Sequence, residues 1–321
     1  MTLEETIRQS EIITTIATRI ISHAIVDCEE QLSDERFSVA SAFLQRVTST
    51  HLCNHKLTKE GIVYKYNGQD FQLHESYKTT TLTRSVYEHL VMFYFIYKYP
   101  STEEARDVVW NYWKINSMKN MLDYLSGVAT TDYTDSSDGK DSSARRRARA
   151  EEYMEIESLR RAIFATRTGY LCREKLDEWT APDKPTQNGI IAFFRNRGRL
   201  DVRRVSYNQA WKYLFPHDDM TDLYRHLSIH CHPIYNGLLQ YQSQMEDDED
   251  AAVIPLFLSN CFLACLCRLF LNLLPNGQKQ QNEHGKGAEI HPLSEELTEE
   301  ELQVFRTLYS PLSSSRSRFQ A

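Results

Sequence analysis

The chain has 321 residues, of which 41% are hydrophobic and 11% aromatic, so it carries enough apolar material for a sizeable core. Eleven glycines and nine prolines are few for this length and disfavour an all-β protein, which needs many tight turns. The net charge of −7 excludes a surface that is basic throughout, so any nucleic-acid site must be a local patch. Seven cysteines without regular spacing, and an N-terminus without a signal-peptide pattern, predict reduced thiols and a cytoplasmic protein.

The first predicted region, residues 1–78, is a helical pair followed by a small hairpin. Isoleucines recur at steps of three and four across residues 3–30, which predicts an amphipathic helix. A similar periodicity predicts a second helix over residues 36–52. Apolar and polar residues then alternate up to Asn67-Gly68, a dipeptide typical of two-residue hairpin turns. We therefore predict one β-hairpin near residues 62–73 in an otherwise all-α protein.

The second predicted region, residues 79–275, forms the core of an up-and-down helical bundle. Helices are predicted over residues 79–99 and 101–125, where wide apolar faces follow hydroxyl and acidic residues that can cap a helix. Residues 127–144 are polar, small and aperiodic, which predicts a mobile insertion. The helix after the insertion is predicted from about residue 145, and we interpret the arginines at its start as a solvated helix end.

A very apolar segment over residues 251–274 closes the bundle core. Its length would permit a membrane span. Pro255, Asn260 and Arg268 lie inside it, and because charged and polar groups are costly in a membrane we favour a buried central helix. A membrane-associated protein anchored by this segment stays open as the weaker alternative. Residues 276–321 are predicted to form a loop, a short helix and a disordered tail.

The stretch 222–236 concentrates the groups that could carry chemistry. It holds three of the eleven histidines, an arginine, a thiol and a hydroxyl within one predicted helix. Arg225 and His232 are seven positions apart and share a helix face, with Ser228 near it. Arginine pairs with phosphate oxygens and histidine moves a proton near neutral pH, so this face suits a phosphate ester. The alternative is that these polar groups only bond one another in the core.

The segment Arg225-His226-Leu-Ser-Ile-His230-Cys-His232 resembles the Arg-x4–6-His motif of HEPN domains. That resemblance implies a helical bundle, and many HEPN domains are metal-independent ribonucleases of bacterial defence or stress systems whose motif pairs across a dimer. It implies that Arg225 stabilises the scissile phosphate and that His232 acts on the ribose 2′-hydroxyl. The spacing fits His230 as well as His232, so the choice between the two histidines stays open.

The chain is also similar to uncharacterised bacterial helical families that combine Arg-x-x-x-Glu on an early helix with Tyr-x-x-Leu-Ser-x-x-x-His later. Arg84 and Glu88 fill the first pattern, and Tyr224, Ser228 and His232 fill the second. The resemblance implies that Tyr224, Ser228 and Glu88 orient the catalytic pair. Arg84 and Glu88 are four positions apart and can pair along one helix face. Their other interpretation is a satisfied buried ion pair without a catalytic role.

A basic and aromatic stretch precedes the histidine-rich segment. Residues 184–212 contain seven Lys and Arg against one Asp, and seven minus one gives +6. Arginines beside exposed aromatic rings can hold single-stranded RNA by phosphate contact and base stacking. The other interpretation is a basic surface above core aromatics. The candidate RNA-binding residues are Arg195, Arg197, Arg199, Arg203 and Arg204.

No metal and no cofactor are predicted. Two clusters mix imidazole and thiolate, which zinc prefers, but alternate residues of a helix point to different faces and no Cys-x-x-Cys accompanies them. They are His51, Cys53 and His55, and His230, Cys231 and His232. RNA is the expected partner, with a homodimer or a partner protein as further possibilities. The competing hypothesis is a catalytically silent helical interaction module, which full burial of Arg225 and His232 would favour.

Overall fold

A computed structural model supplies the structure of the protein. It describes residues 2–73, 76–98, 100, single positions between 103 and 117, 139–165, 195–196, 199–200, 224, 227–228, 249–274 and 296–313. Within this part of the chain, seven α-helices and one π-helix account for nearly all regular structure, which confirms the all-α prediction. Of the helices predicted over 201–245, only Tyr224, Leu227 and Ser228 are described, and all three are helical.

The described elements follow one another along the chain as listed by their bounds. They are α1 (Leu3–Val26), α2 (Glu29–Leu32), α3 (Glu35–Glu60), β1 (Ile62–Tyr66), β2 (Gln69–Leu73), α4 (Ser76–Phe93), a π-helix (Tyr94–Lys98), α5 (Gly139–Ala165), β3 (Arg195–Asn196), β4 (Arg199–Leu200), α6 (Glu249–Leu271) and α7 (Glu299–Ser313). The chain divides into two compact units, Met1–Tyr94 with Tyr207–Ala321, and Phe95–Ser206. The domain boundaries drawn from the sequence, after residues 78 and 275, stay a prediction.

Side-chain caps set where several helices begin. The Thr2 hydroxyl accepts a hydrogen bond from the Glu5 amide at the start of α1. Thr298 and Glu301 form a reciprocal capping box, which starts α7 at Glu299 rather than at Ser294 as the sequence predicted. Helix α7 ends at Ser313, so the predicted tail begins later than expected and its remainder lies outside the described residues.

The helix after the predicted insertion begins earlier than expected. Helix α5 starts at Gly139, so residues 139–144, which the sequence places in a mobile insertion, form its first turns. Residues 127–138 lie outside the described part of the chain. The polar composition of 139–144 hides this start, because serine and aspartate are as common at helix beginnings as in loops.

The hairpin predicted near residues 62–73 is present. Strands β1 and β2 pair antiparallel, with Ile62 opposite Leu73 and Tyr66 opposite Gln69. Asn67 and Gly68 connect them with φ values of 52° and 78°. Positive φ at both central residues is what a tight two-residue hairpin turn needs, because its twist then matches that of the strands. Asparagine and glycine adopt this region at little cost, which is why the dipeptide predicted the turn.

Helix α6 is the centre of the first unit and packs against α1, α3, α4 and α7. Phe270 of α6 is fully buried, and its ring lies 5.7 Å from that of Phe37 and 6.5 Å from that of Phe93. The predicted buried central helix is therefore present. Residues Ala252–Leu271 are also long and apolar enough to cross a membrane by length and composition, and 78% of the most apolar window is buried within the protein.

Candidate functional site

Three of the predicted site residues form a closed hydrogen-bonded triangle, here called the Arg84 triangle. Arg84 and Glu88 lie one turn apart on α4, and Arg84 Nε donates to Glu88 Oε1 at 2.7 Å. Arg84 Nη2 donates to the Tyr224 hydroxyl at 2.9 Å. The Tyr224 hydroxyl in turn donates to Glu88 Oε1 at 3.1 Å. The two motifs that the sequence separates by 140 positions, Arg84 to Tyr224, thus meet in the structure.

The Arg84 triangle is only partly covered. The Arg84 side chain is 20% exposed and the Glu88 side chain 30% exposed. The guanidinium lies 5.1 Å from the centre of the Tyr224 ring, so the ring covers one face of the cation. Burial and the neighbouring Glu88 carboxylate raise the pKa of the Tyr224 hydroxyl, which is therefore protonated and able to donate at neutral pH.

Ser228 lies one helical turn after Tyr224. Its hydroxyl donates to the Tyr224 carbonyl at 2.6 Å, which is the bond that a helical serine makes to the preceding turn. Leu227, between them, is 1% exposed and anchors this turn to the unit. Ser228 therefore contacts the helix backbone rather than the Arg84 triangle. Arg225, His230 and His232, the predicted phosphate-binding and proton-transferring residues, lie outside the described residues.

Two of the five candidate RNA-binding arginines fall on described backbone. Arg195 and Arg199 belong to the short antiparallel pair β3–β4, in which Arg195 is opposite Leu200 and Asn196 opposite Arg199. They belong to the second unit, Phe95–Ser206. Arg197, Arg203 and Arg204 lie outside the described residues. The two described arginines follow the pairing of a hairpin rather than that of a loop, as the sequence had predicted for this segment.

A buried polar relay, defined by Ser10, His51, His55 and Ser259, crosses the centre of the first unit. His51 Nδ1 lies 2.8 Å from the Ser259 hydroxyl of α6, and its Nε2 lies 2.9 Å from the Ser10 hydroxyl of α1. His55 Nδ1 lies 3.1 Å from the same Ser10 hydroxyl. A neutral imidazole donates through one nitrogen and accepts through the other, so the hydroxyls complete its hydrogen bonding. The relay ties three helices together.

Burial dominates the electrostatics of the buried polar relay. It lowers the pKa of His51 to about 3, so this imidazole is neutral at physiological pH. It also lowers the pKa of His55, although the nearby Glu11 carboxylate opposes that effect. Glu11 reaches the surface, where Lys59 Nζ contacts Glu11 Oε1 at 2.6 Å. The side chains therefore grade from neutral and buried at His51 to charged and exposed at Lys59.

Two further hydrogen bonds hold α6 by its backbone and by an amide. The Thr83 hydroxyl donates to the Pro255 carbonyl at 2.8 Å and accepts from Asn54 Nδ2 at 2.9 Å. Asn260 Nδ2 donates to the Thr6 carbonyl at 3.1 Å. Pro255 lies inside α6, where a proline disturbs the helical hydrogen bonding. The sequence reasoning missed this set, whose signal is polar side chains at core positions of amphipathic helices.

The cluster of His51, Cys53 and His55 does not converge on a metal site. His51 is buried and Cys53 is exposed, because residues two positions apart on a helix face different directions. In the described part of the chain, no group of three or more His, Cys, Asp or Glu residues is placed to hold a metal ion. The second cluster, around Cys231, lies outside the described residues.

No family model matches the chain, and no curated protein or solved structure shows significant similarity to it. Function therefore has to be inferred from the Arg84 triangle and the sequence patterns around it.

Replacing Glu88 by Gln tests the electrostatic role of the Arg84 triangle. We expect the free energy of unfolding to fall by about 1 kcal/mol, because a partly buried guanidinium loses its counter-charge and solvent screens only part of the loss. Glu300→Gln is the matched control, since its pair with Arg8 is 53% and 70% exposed and should contribute almost nothing. Equal effects in urea denaturation of the two variants would show that Glu88 is an ordinary surface carboxylate.

Proposed function

We propose that this protein is a HEPN-like, metal-independent endoribonuclease, with Arg225 and one of His230 and His232 as its catalytic residues. One observation supports the proposal most directly. The hydrogen-bonded and partly exposed Arg84 triangle includes Tyr224, the residue immediately before Arg225. A charged and preorganised group on the adjacent helix would hold this turn in one orientation, which is what a positioned catalytic arginine requires.

The proposed reaction is an internal transfer at phosphorus. The imidazole of His232 or His230 removes the proton from the ribose 2′-hydroxyl, and the 2′-oxygen forms a bond to phosphorus. The bond from phosphorus to the 5′-oxygen breaks, and that oxygen takes a proton from water. Arg225 pairs with the phosphate oxygens as charge develops on them. The products are a 2′,3′-cyclic phosphate and a 5′-hydroxyl end, and no metal ion takes part.

The described residues of the site would act by positioning. Tyr224 offers a protonated hydroxyl to Glu88, and its backbone carbonyl is held by Ser228. Arg84 adds a permanent positive charge close to the start of the motif. These contacts fix the turn that carries Arg225 without occupying the side chains that the reaction needs. The catalytically silent interaction module is the second candidate, because Arg84 and Glu88 already neutralise each other.

The experiment is cleavage of a mixed RNA pool by purified protein in excess EDTA. We expect wild-type activity to survive chelation, and Arg225→Ala and one of His230→Ala and His232→Ala to lower the rate by at least about 100-fold. Arg46→Ala, which removes an exposed arginine of α3, should cut like the wild type. Products ending in a 5′-hydroxyl identify the internal transfer.

Folding of each variant is checked by far-ultraviolet circular dichroism before the rates are compared. A wild type that leaves RNA intact, or folded variants that all cut like the wild type, would reject the ribonuclease and leave the interaction module. Activity that disappears in EDTA and returns with a divalent ion would also reject it, because a metal would then supply the chemistry assigned to Arg225 and the histidine.

A further inference from the structure

The second unit differs from the first in charge. Residues 95–206 contain twenty Lys and Arg and seventeen Asp and Glu, and twenty minus seventeen gives +3. The rest of the chain therefore carries −10, since the whole chain carries −7. Fourteen of the twenty basic residues in the second unit are arginines. Such an asymmetry concentrates the attraction for a polyanion in one unit of an otherwise acidic protein.

Helix α5 carries much of this arginine. Its sequence places positive charge near its beginning and acidic residues after residue 150. This order is the reverse of the one that the helix dipole favours, because cations are stabilised at the C-terminal end and anions at the N-terminal end. Helix stability alone therefore does not explain the arrangement, and an external anionic partner does.

The charges of α5 also separate around the helix. At about 100° per residue, five arginines fall within an arc of about 200°, here called the arginine face. They are Arg145, Arg146, Arg147, Arg149 and Arg160. Four acidic residues fall in the opposite arc of about 100°. They are Asp141, Glu151, Glu152 and Glu155. Glu157 falls among the arginines, where its carboxylate accepts from Arg161 Nε at 3.2 Å.

The described side chains of α5 are open to solvent. Arg147 is exposed, and between residues 147 and 162 none of the described side chains is buried. A helix that is polar and exposed over its described length gains little from core packing, so its charge pattern is available for contact with a partner. Arginine forms two parallel hydrogen bonds with a phosphate and stacks on bases, whereas lysine acts as a point charge.

We propose that the arginine face of α5 is the docking surface for the phosphate backbone of single-stranded RNA. The charge complementarity of the face selects a polyanion, and the choice of RNA rests on the ribonuclease proposed above. Binding by phosphate contacts is independent of base sequence and strongly salt-dependent. The face would therefore hold substrate of any sequence.

The test is fluorescence anisotropy with a labelled single-stranded 2′-O-methyl RNA of about 20 nucleotides, over a range of salt concentrations. Methylation blocks the 2′-oxygen, so binding is measured without cleavage. In the variant with Arg145, Arg146, Arg147 and Arg149 all replaced by Gln, we expect the Kd to rise about 100-fold at 0.1 M salt. The slope of log Kd against log salt should fall by about 3, since each lost phosphate contact removes about 0.7.

The matched control removes four exposed positive charges from the first unit: Arg46, Lys56, Lys65 and Lys78, each to Gln. It has the same net charge as the α5 variant and should bind RNA like the wild type. Equal weakening in both variants would overturn the docking surface, because net charge alone would then explain binding. A wild type that binds no RNA, or that binds an acidic protein instead, would overturn it as well.

Cleavage of unmodified RNA keeps this proposal separate from the ribonuclease. RNA that binds through α5 but stays intact supports the docking surface and rejects the enzyme. RNA that the α5 variant still binds and cuts like the wild type supports the enzyme and rejects the docking surface. Circular dichroism of the α5 variant checks that the helix is retained, which glutamine favours by its high helix propensity.

Discussion

Lowering the pH from 6.5 to 4.5 should cost the protein about 3 kcal/mol of stability through His51 alone. Burial lowers the pKa of His51 to about 3, from an ordinary value of 6.5. Between these two values the unfolded chain binds a proton that the folded protein does not bind. Stability is therefore present in full above pH 6.5 and is lost as the pH falls towards 3, by about 5 kcal/mol in total.

Protonation of His51 is costly because both imidazole nitrogens already contact hydroxyls in a closed interior. One of these contacts, to Ser259, joins α3 to the central helix α6. An imidazolium donates through both nitrogens, so one serine must reverse its hydrogen bond while the charge stays unsolvated. We therefore expect acid to loosen the attachment of α6 and to unfold the first unit well above the pKa of the folded histidine.

The measurement is urea denaturation at several pH values between 7.5 and 4.5, for wild type and His51→Gln. The variant lacks the titrating group, so the stability difference between the two proteins should shrink by about 3 kcal/mol from pH 6.5 to 4.5. Asn54→Ala is the control, because it removes a fully buried polar side chain of the same helix that does not titrate. It should be less stable than wild type by the same amount at every pH. A constant difference for His51→Gln would mean that His51 is accessible to protons in the folded state.

The difference between His51 and Glu88 shows which parts of the protein can be predicted from its sequence. Arg84 and Glu88 are four positions apart, and helical periodicity alone puts them in contact. His51 and Ser259 are 208 positions apart, and their contact depends on how α3 packs against α6. A serine or histidine on a core-facing position looks the same in the sequence whether or not it has found a partner. Local geometry is therefore predictable here and the buried polar relay is not.

Tyr224 lies between these two cases. Its meeting with Arg84 spans 140 positions and cannot be derived from helix spacing. The sequence nevertheless pointed to both residues through two short patterns, and the structure brings those patterns together. The hairpin was predicted from the turn chemistry of Asn67 and Gly68, which acts within two residues. The early start of α5 at Gly139 was missed, because polar residues favour both helix starts and loops.

Replacing Phe270 by Ala should lower the free energy of unfolding by about 3–5 kcal/mol. Phe270 is fully buried on α6, and its ring packs between Phe37 of α3 and Phe93 of α4. The substitution removes apolar contacts on both sides, and the surrounding helices cannot close the cavity without breaking the hydrogen bonds of the buried polar relay. An effect of this size is a large part of the stability of an ordinary domain.

Ile254→Ala is the matched control for Phe270→Ala. Ile254 is a large apolar residue of the same helix but is 60% exposed, so its truncation should cost less than about 1 kcal/mol. Both variants are measured by guanidinium denaturation in buffer without detergent. A helix that forms the core of a water-soluble unit must show this contrast, because only Phe270 leaves a cavity in protein. Similar and small effects would mean that α6 is not the packed centre of the fold, and would favour the membrane-anchored alternative.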